Sequence, residues 1–261
     1  MVALILIGGR STRMGRDKTL IARPDGQRQI DWLVSLARAA GTEPMLSMRD
    51  DSPPPCDLPL IRDRHPGGGP LAALEAFHNA RPGEPTLLLG GDLFLMDAET
   101  LRLLLKGRDP SRNATGYANR LDGQPEPLCT IYEGQSIAQA PQWLARGEYG
   151  ARRFLKSLAP RVLDLVHPAA LDNVNTPLDL KEALAKLSGG VSPKTVDVEH
   201  PGFTGRFDTL ACTIGGLFEE LCFQQRLAPS PARFHPFMNG GSVLWGQAIA
   251  PGSRVAYRPV T

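Results

Sequence analysis

The chain has 261 residues, an ordinary apolar share of 42% and a formal net charge of only +2. A length above the usual single-domain size predicts one large domain and a small one, and the near-neutral charge gives no support to nucleic-acid wrapping. Four cysteines, Cys56, Cys129, Cys212 and Cys222, form no Cys-x-x-Cys pair and have no histidine at metal spacing, so free thiols are expected.

The first element is the apolar run from Val2 to Ile7, which reads as a buried strand over 3–7. It is short, lacks a basic leading region and runs straight into Gly-Gly-Arg, a pattern that argues against a signal peptide. No segment reaches the length of a membrane span, so a soluble, cytoplasmic protein is expected. The strand breaks into Gly8-Gly9-Arg10-Ser11-Thr12-Arg13-Met14-Gly15-Arg16-Asp17-Lys18. Glycines let backbone amides close on a ligand without a Cβ in the way, and successive N–H groups trap anions. Arg13 and Lys18 add positive charge at the same place, which suits a nucleoside triphosphate. A P-loop is excluded, because five residues separate Gly9 from Gly15 and Arg16-Asp17 precede the lysine. The dinucleotide fingerprint is excluded because Gly8 and Gly9 are adjacent.

Strand patterns at 43–47, 58–61, 86–89, 114–118 and 129–132 then alternate with helical spacing at 29–40, 70–80 and 97–105. A final helix at 179–187 is opened by Thr176-Pro177. This alternation predicts an α/β domain over 1–187 with a mostly parallel sheet. Ser188-Gly189-Gly190-Val191-Ser192-Pro193 reads as a linker, 188–194. Beyond it come a strand at 195–199, a helix at 213–225, the hairpin signal Asn239-Gly240-Gly241 and a last strand at 253–259. Residues 195–261 therefore predict a small α+β domain of roughly 65 residues.

Several residues carry candidate chemistry. Asp92 directly follows Thr86-Leu87-Leu88-Leu89-Gly90-Gly91, the strand end where open α/β sheets bind ligands, and a carboxylate there suits Mg²⁺ against phosphate oxygens. Asp97-Ala98-Glu99-Thr100 reads instead as a helix cap. Asp63 precedes the tight run His65-Pro66-Gly67-Gly68-Gly69-Pro70-Leu71, which exposes backbone to a base or ribose. His65 reads as a loop residue. Asn173-Val174-Asn175-Thr176-Pro177 places two Asn side chains on one side of an extended segment. Ser47 and Arg49, after the second strand, are candidates for the nucleotide pocket, and Arg152 or Arg153 for a second substrate.

The first loop resembles the G-G-x-S-x-R-M-G-x-D-K signature of nucleotidyltransferases, most closely the molybdenum cofactor guanylyltransferases. The resemblance extends over roughly residues 3–187 through four separated motifs in the family's order. It implies a Rossmann-like fold and transfer of GMP from GTP to the terminal phosphate of molybdopterin, or molybdenum cofactor, with release of pyrophosphate. It also implies that Lys18 and Arg13 are catalytic. Leu6, Gly8, Gly9, Lys18, Ser47, Asp63, Gly69 and Asp92 would bind nucleotide, Asp92 would hold Mg²⁺, and Asn173 and Asn175 would contact the pterin substrate. Two positions depart from the family: Phe94 stands where a D-x-P proline would be, and Ala73 replaces the last glycine of G-P-L-A-G. Pro125-Glu126-Pro127-Leu128 fits the family's strand opening.

The C-terminal segment, with Thr213-Ile214-Gly215-Gly216-Leu217-Phe218-Glu219-Glu220-Leu221, Phe234-His235-Pro236-Phe237-Met238-Asn239-Gly240 and Pro251 to Val260, resembles the ubiquitin-like sulfur carrier of molybdopterin synthase. The carrier ends in Gly-Gly, whereas this sequence stops at Thr261. The expectation is a β-grasp-like domain that docks other proteins of the pathway or regulates, without carrying sulfur. The alternatives are a CTP-dependent cytidylyltransferase, whose loop usually has Ala-Ala-Gly at Ile7-Gly8-Gly9, and a non-catalytic adapter that binds nucleotide or cofactor. A sugar-nucleotide pyrophosphorylase fits less well, since its loop carries G-T-R-L before a more distant lysine. No nucleic-acid or membrane partner is expected.

Overall fold

A computed structural model describes residues 1–7, 17–49, 52–63, 65 and 67–260 and divides the chain into two units, Met1–Asp172 and Asn173–Thr261. In the first unit the elements run β1 (Val2–Leu6), α1 (Gln29–Ala39), β2 (Glu43–Met48), β3 (Leu60–Arg62), α2 (Gly69–Ala80), β4 (Thr86–Gly90), α3 (Ala98–Lys106), β5 (Ala114–Ala118) and β6 (Pro125–Tyr132). Three short helices follow, α4 (Gly134–Ile137), α5 (Ala140–Ala145) and α6 (Ala151–Ser157), and then β7 (Arg161–Leu163).

These strands form one sheet in the order β3-β2-β1-β4-β6-β5-β7, with β6 antiparallel to both neighbours and the other pairs parallel. Both faces are covered, and β1 shows why its sequence is apolar throughout. Ala3, Ile5 and Ile7 pack with Leu33, Leu36, Leu101 and Leu104 of α1 and α3, whereas Val2 and Leu4 pack with Leu71, Leu74 and Phe77 of α2. Successive side chains of a strand point to opposite faces, so a strand between two helical layers must be apolar at every position. The register pairs Leu6 with Ser47 on one side and Gly90 on the other. Three strand ends are thereby aligned along one edge.

The second unit contains α7 (Pro177–Gly189), β8 (Lys194–His200), β9 (Phe203–Thr209), α8 (Ile214–Gln224), β10 (Phe234–Met238), β11 (Gly241–Ser242) and β12 (Arg254–Pro259). Its sheet has the order β11-β10-β12-β8-β9, with β12 and β8 parallel at the centre and the remaining pairs antiparallel. Strand β8 alternates, burying Val196 and Val198 and exposing Asp197 and Glu199, as a strand covered on one face should. Helix α8 supplies Ile214, Leu217, Phe218 and Leu221 to that covered face. The Asn239-Gly240 signal forms the β10–β11 hairpin, with φ of +51° and +86° at its two turn residues.

The second unit begins earlier than the 188–194 linker expected from sequence. Helix α7 packs within it because Glu182 accepts hydrogen bonds from the Cys212 N–H (2.7 Å), the Thr213 N–H (2.8 Å) and the Thr213 hydroxyl (2.7 Å) at the N-terminus of α8. A carboxylate there satisfies N–H groups that have no partner inside the helix. The expected Thr176 cap is a full capping box with Asp179. All four cysteines are free thiols. Among the described residues no helix is long and apolar enough to cross a membrane.

Candidate active site

The strand order runs outward in opposite senses from β1 and β4, and open α/β sheets leave a crevice at the carboxyl ends of such a pair. The chain leaving β4 reads Gly90-Gly91-Asp92. The Gly91 N–H donates to the Leu6 carbonyl at 3.0 Å. A Cβ on Gly91 would lie 2.6 Å from that oxygen and 2.7 Å from the Thr19 methyl group. Any larger residue would push this turn off β1, so the glycine is needed for close approach.

The turn delivers Asp92 to Lys18, with Nζ 3.9 Å from Oδ2 and the side chains 16% and 18% exposed. Lys18 begins a single 3₁₀ turn, Lys18–Leu20, capped by Asp17, whose Oδ1 accepts from the Thr19 N–H at 2.9 Å and the Thr19 hydroxyl at 2.7 Å. A lysine and an acid at this loose separation, at strand ends, suit a phosphate that meets the cation and a hard cation that meets the carboxylate. Asp97 has the other role expected of it, since its Oδ1 accepts from the Thr100 N–H at 2.8 Å as the cap of α3.

Asp63 lies just beyond β3 and is buried, its N–H donating to the Met48 carbonyl at 3.0 Å. Ser47 is only 1% exposed and its hydroxyl donates to Asp63 Oδ2 at 3.4 Å. Its side chain is therefore enclosed against Asp63. Gly69, with φ of +54°, starts α2 ahead of Pro70. Arg49 is exposed, and His65 is engaged by Glu75 at 3.5 Å and by the edge of Tyr149 at 5.8 Å between ring centres.

The structure thus brings together Lys18 and Asp92, and Ser47 with Asp63, at the ends of β2, β3 and β4. Leu6 closes β1, half-buried, with its carbonyl accepting from Gly91. Gly8, Gly9 and Arg13 lie outside the described residues. Asn173 and Asn175 fall in the second unit, where the buried Asn173 Oδ1 has no hydrogen-bond partner among the described residues and the Asn175 N–H donates to Asp179 Oδ2 at 2.7 Å. Arg152 braces the β5–β6 hairpin through Asp122 (2.7 Å) and Glu126 (3.1 Å), and Arg153 is exposed.

Sequence reasoning missed a group behind Asp92. Arg23 donates to the Phe94 carbonyl at 2.6 Å and to Gln29 Oε1 at 2.9 Å, Gln29 donates to the Leu93 carbonyl at 3.1 Å, and the Trp32 N–H donates to the Met96 carbonyl at 3.1 Å. Burial pulls the Arg23 guanidinium below its ordinary value, and the charge of Asp25 partly offsets this. The one available signal was a glutamine on the apolar face of α1.

Among the described residues no three His, Cys, Asp or Glu gather to hold a metal by protein ligands alone. Mg²⁺ needs no such cluster, because one or two carboxylates with substrate phosphates and water satisfy it. Asp92 beside Lys18 fits that requirement.

Residues 3–162 match the family described as the MobA-like NTP transferase domain. A protein of Carboxydothermus hydrogenoformans named a probable molybdenum cofactor guanylyltransferase is 30% identical over 192 residues, covering 70% of this chain and 95% of the relative. A molybdenum cofactor biosynthesis bifunctional protein of Synechocystis is 30% identical over 135 residues, covering 51% of this chain and 39% of its own length. The molybdopterin-guanine dinucleotide biosynthesis protein A of Archaeoglobus fulgidus superposes with a TM-score of 0.60 at 22% identity, covering 72% of this chain and 99% of that one.

Proposed function

The chain belongs to the MobA-like NTP transferase family, and on that premise we propose that it is a guanylyltransferase which transfers GMP from GTP to the terminal phosphate of molybdopterin or the molybdenum cofactor, with release of pyrophosphate. The observation that carries this reading is the approach of Lys18 to Asp92 at the carboxyl ends of the central strands.

The pterin's phosphate is already an oxyanion at neutral pH, so attack on the α-phosphorus of GTP needs no side-chain base. The chain's work is positioning and charge neutralisation. Lys18, with Arg13, balances charge on the α-phosphate and the departing pyrophosphate. Asp92 would hold Mg²⁺, which when bound neutralises phosphate oxygens in the same crevice. Asp63, braced by Ser47, and the glycine turn that opens α2 face the nucleoside. Gly8, Gly9 and the end of β1 would read the base, while Asn173 and Asn175 would take the pterin side. The reading places the reaction in the cytoplasm, where its triphosphate substrate is found.

For the second unit we propose a β-grasp, sulfur-carrier-like fold that docks other proteins of molybdenum cofactor synthesis. Its support is the strand order with a parallel central pair and a helix crossing between β9 and β10, together with a relative named as bifunctional.

Calorimetry with GTP, CTP and ATP in the presence of Mg²⁺ tests the catalytic reading. Selective GTP binding that weakens in Asp92→Ala is expected. A CTP preference would move the substrate to the cytidine nucleotide, and no triphosphate binding would make the chain an adapter.

A further inference from the structure

The loop from Gly90 to Asp97 has no proline to stiffen it. Instead it makes a series of tight backbone turns, Leu93 N–H to Gly90 carbonyl (3.3 Å), Phe94 N–H to Asp92 carbonyl (3.0 Å) and Met96 N–H to Leu93 carbonyl (3.3 Å). Turns this tight leave buried carbonyl lone pairs unsatisfied, so further donors must come from elsewhere. Leu93, Phe94 and Met96 are all enclosed, and their three carbonyls are met by Gln29, Arg23 and Trp32.

All three donors come from one stretch of ten residues, and that stretch begins five residues after Lys18. Arg23 is 6% exposed and Gln29 fully buried. The guanidinium lies over the Trp32 ring at 4.6 Å, which fixes both side chains at once. Gln29 links them, accepting from Arg23 with its carbonyl oxygen while its amide group donates to Leu93. A buried cation donating to a main-chain carbonyl makes a charge-assisted bond, stronger than a neutral one. The segment that carries the lysine therefore also grips the loop that carries the acid.

We propose that Arg23, with Gln29 and Trp32, is a positioning group that holds Asp92 at the distance from Lys18 which the metal–nucleotide complex requires. The proposal rests on the reading of Asp92 as the metal-holding carboxylate. It assigns the rigidity of this loop to side chains from the β1–α1 connection and from α1, rather than to a residue within the loop.

The test uses the full chain and Mn²⁺ as the probe, titrated by electron paramagnetic resonance with GTP present, beside calorimetry of GTP with metal absent. Arg23→Met is expected to raise the Mn²⁺ concentration at half-saturation by about 10-fold or more, the usual effect of removing a group that orients a metal ligand. Metal-free GTP binding should stay at the wild-type value. Arg28→Met is the control, since Arg28 on the same stretch bonds to Asp31 and the Pro55 carbonyl, with no hydrogen bond to the loop among the described residues. Trp32→Phe keeps an aromatic ring beside Arg23 but removes the indole N–H and its fused ring, so it should shift Mn²⁺ binding in the same direction by less, and it carries the test if Arg23→Met fails to fold. Wild-type Mn²⁺ affinity in folded Arg23→Met and Trp32→Phe, with weakened affinity in Asp92→Ala, would overturn the proposal. Wild-type affinity in Asp92→Ala itself would overturn the metal reading beneath it.

Discussion

Each unit contains a lysine facing a carboxylate, and the two pairs are built differently. Lys18 and Asp92 stand 3.9 Å apart at strand ends, on a short turn and a loop. Lys186 and Glu182 meet at 3.2 Å on α7, 2% and 10% exposed, and the same carboxylate also caps α8. A charge taken out of water needs full pairing, so the second pair is architecture, tight and saturated with hydrogen bonds. The first stands at a wider separation at the sheet edge, a geometry that phosphates and a cation can enter.

Removing each partner in turn breaks or sharpens this contrast. Glu182→Ala strips the N-terminus of α8 of its acceptor and removes the carboxylate 3.2 Å from the buried Lys186 ammonium, so a loss of about 3–5 kcal/mol is expected. Urea unfolding should show it while GTP binding holds, and the reverse pattern would erase the distinction. Lys18→Ala should behave oppositely. Turnover is expected to fall about 10²–10³-fold, roughly 3–4 kcal/mol of transition-state stabilisation, with stability within about 0.5 kcal/mol of wild type. Single-turnover kinetics and a melting curve check both halves.

Gly216→Ala is a smaller probe of the saturated side. A Cβ there would collide with the Glu182 carboxylate, so about 1–3 kcal/mol should be lost to overpacking, read from denaturant midpoints.

A pH-dependent effect concerns Glu219 of α8. Burial first, then its hydrogen bond and repulsion with Asp179 and the charge of Glu182, push its carboxyl up to about 9, against an opposing hydrogen bond from Thr176. The unfolded carboxyl ionises near 4.5 while the folded one keeps its proton, so ionisation favours only the unfolded chain across that window. Stability from this group is complete below pH 4.5 and is lost as pH rises towards 9. Glu219→Gln should therefore melt above wild type at pH 8, with the gap closing towards pH 4.5.

Much of the architecture was legible because it depends on local patterns. The buried β1 run, the Asp97 and Thr176 caps and the Asn239-Gly240 turn each follow from residue type and spacing, and each forms where expected. The short helices α4 to α6 were not read, since helices of a turn or two carry too little periodicity to detect. Strand β9 was missed because only its first and last residues are buried, which removes the alternation that marks a strand. The place of α7 was misjudged for a different reason. A glycine-rich run promises flexibility after a helix, but what decides the packing of that helix is Glu182 reaching Thr213, 31 residues further on. At the site, Asp92 and Lys18 were visible because strand ends and glycine loops announce themselves. The Arg23–Gln29–Trp32 grip was not, because its partners are main-chain carbonyls, which every residue has.

That grip has a consequence for anyone who would transplant or redesign this centre. The lysine and the acid are far apart in sequence, yet residues 17–32 and 90–97 interlock through side chain on one part and backbone on the other. Grafting Lys18 and Asp92 alone onto a related scaffold would move two charges without the frame that spaces them. The transferable module is the pair of segments, and a library that varies one while holding the other fixed should lose activity faster than one that exchanges both together.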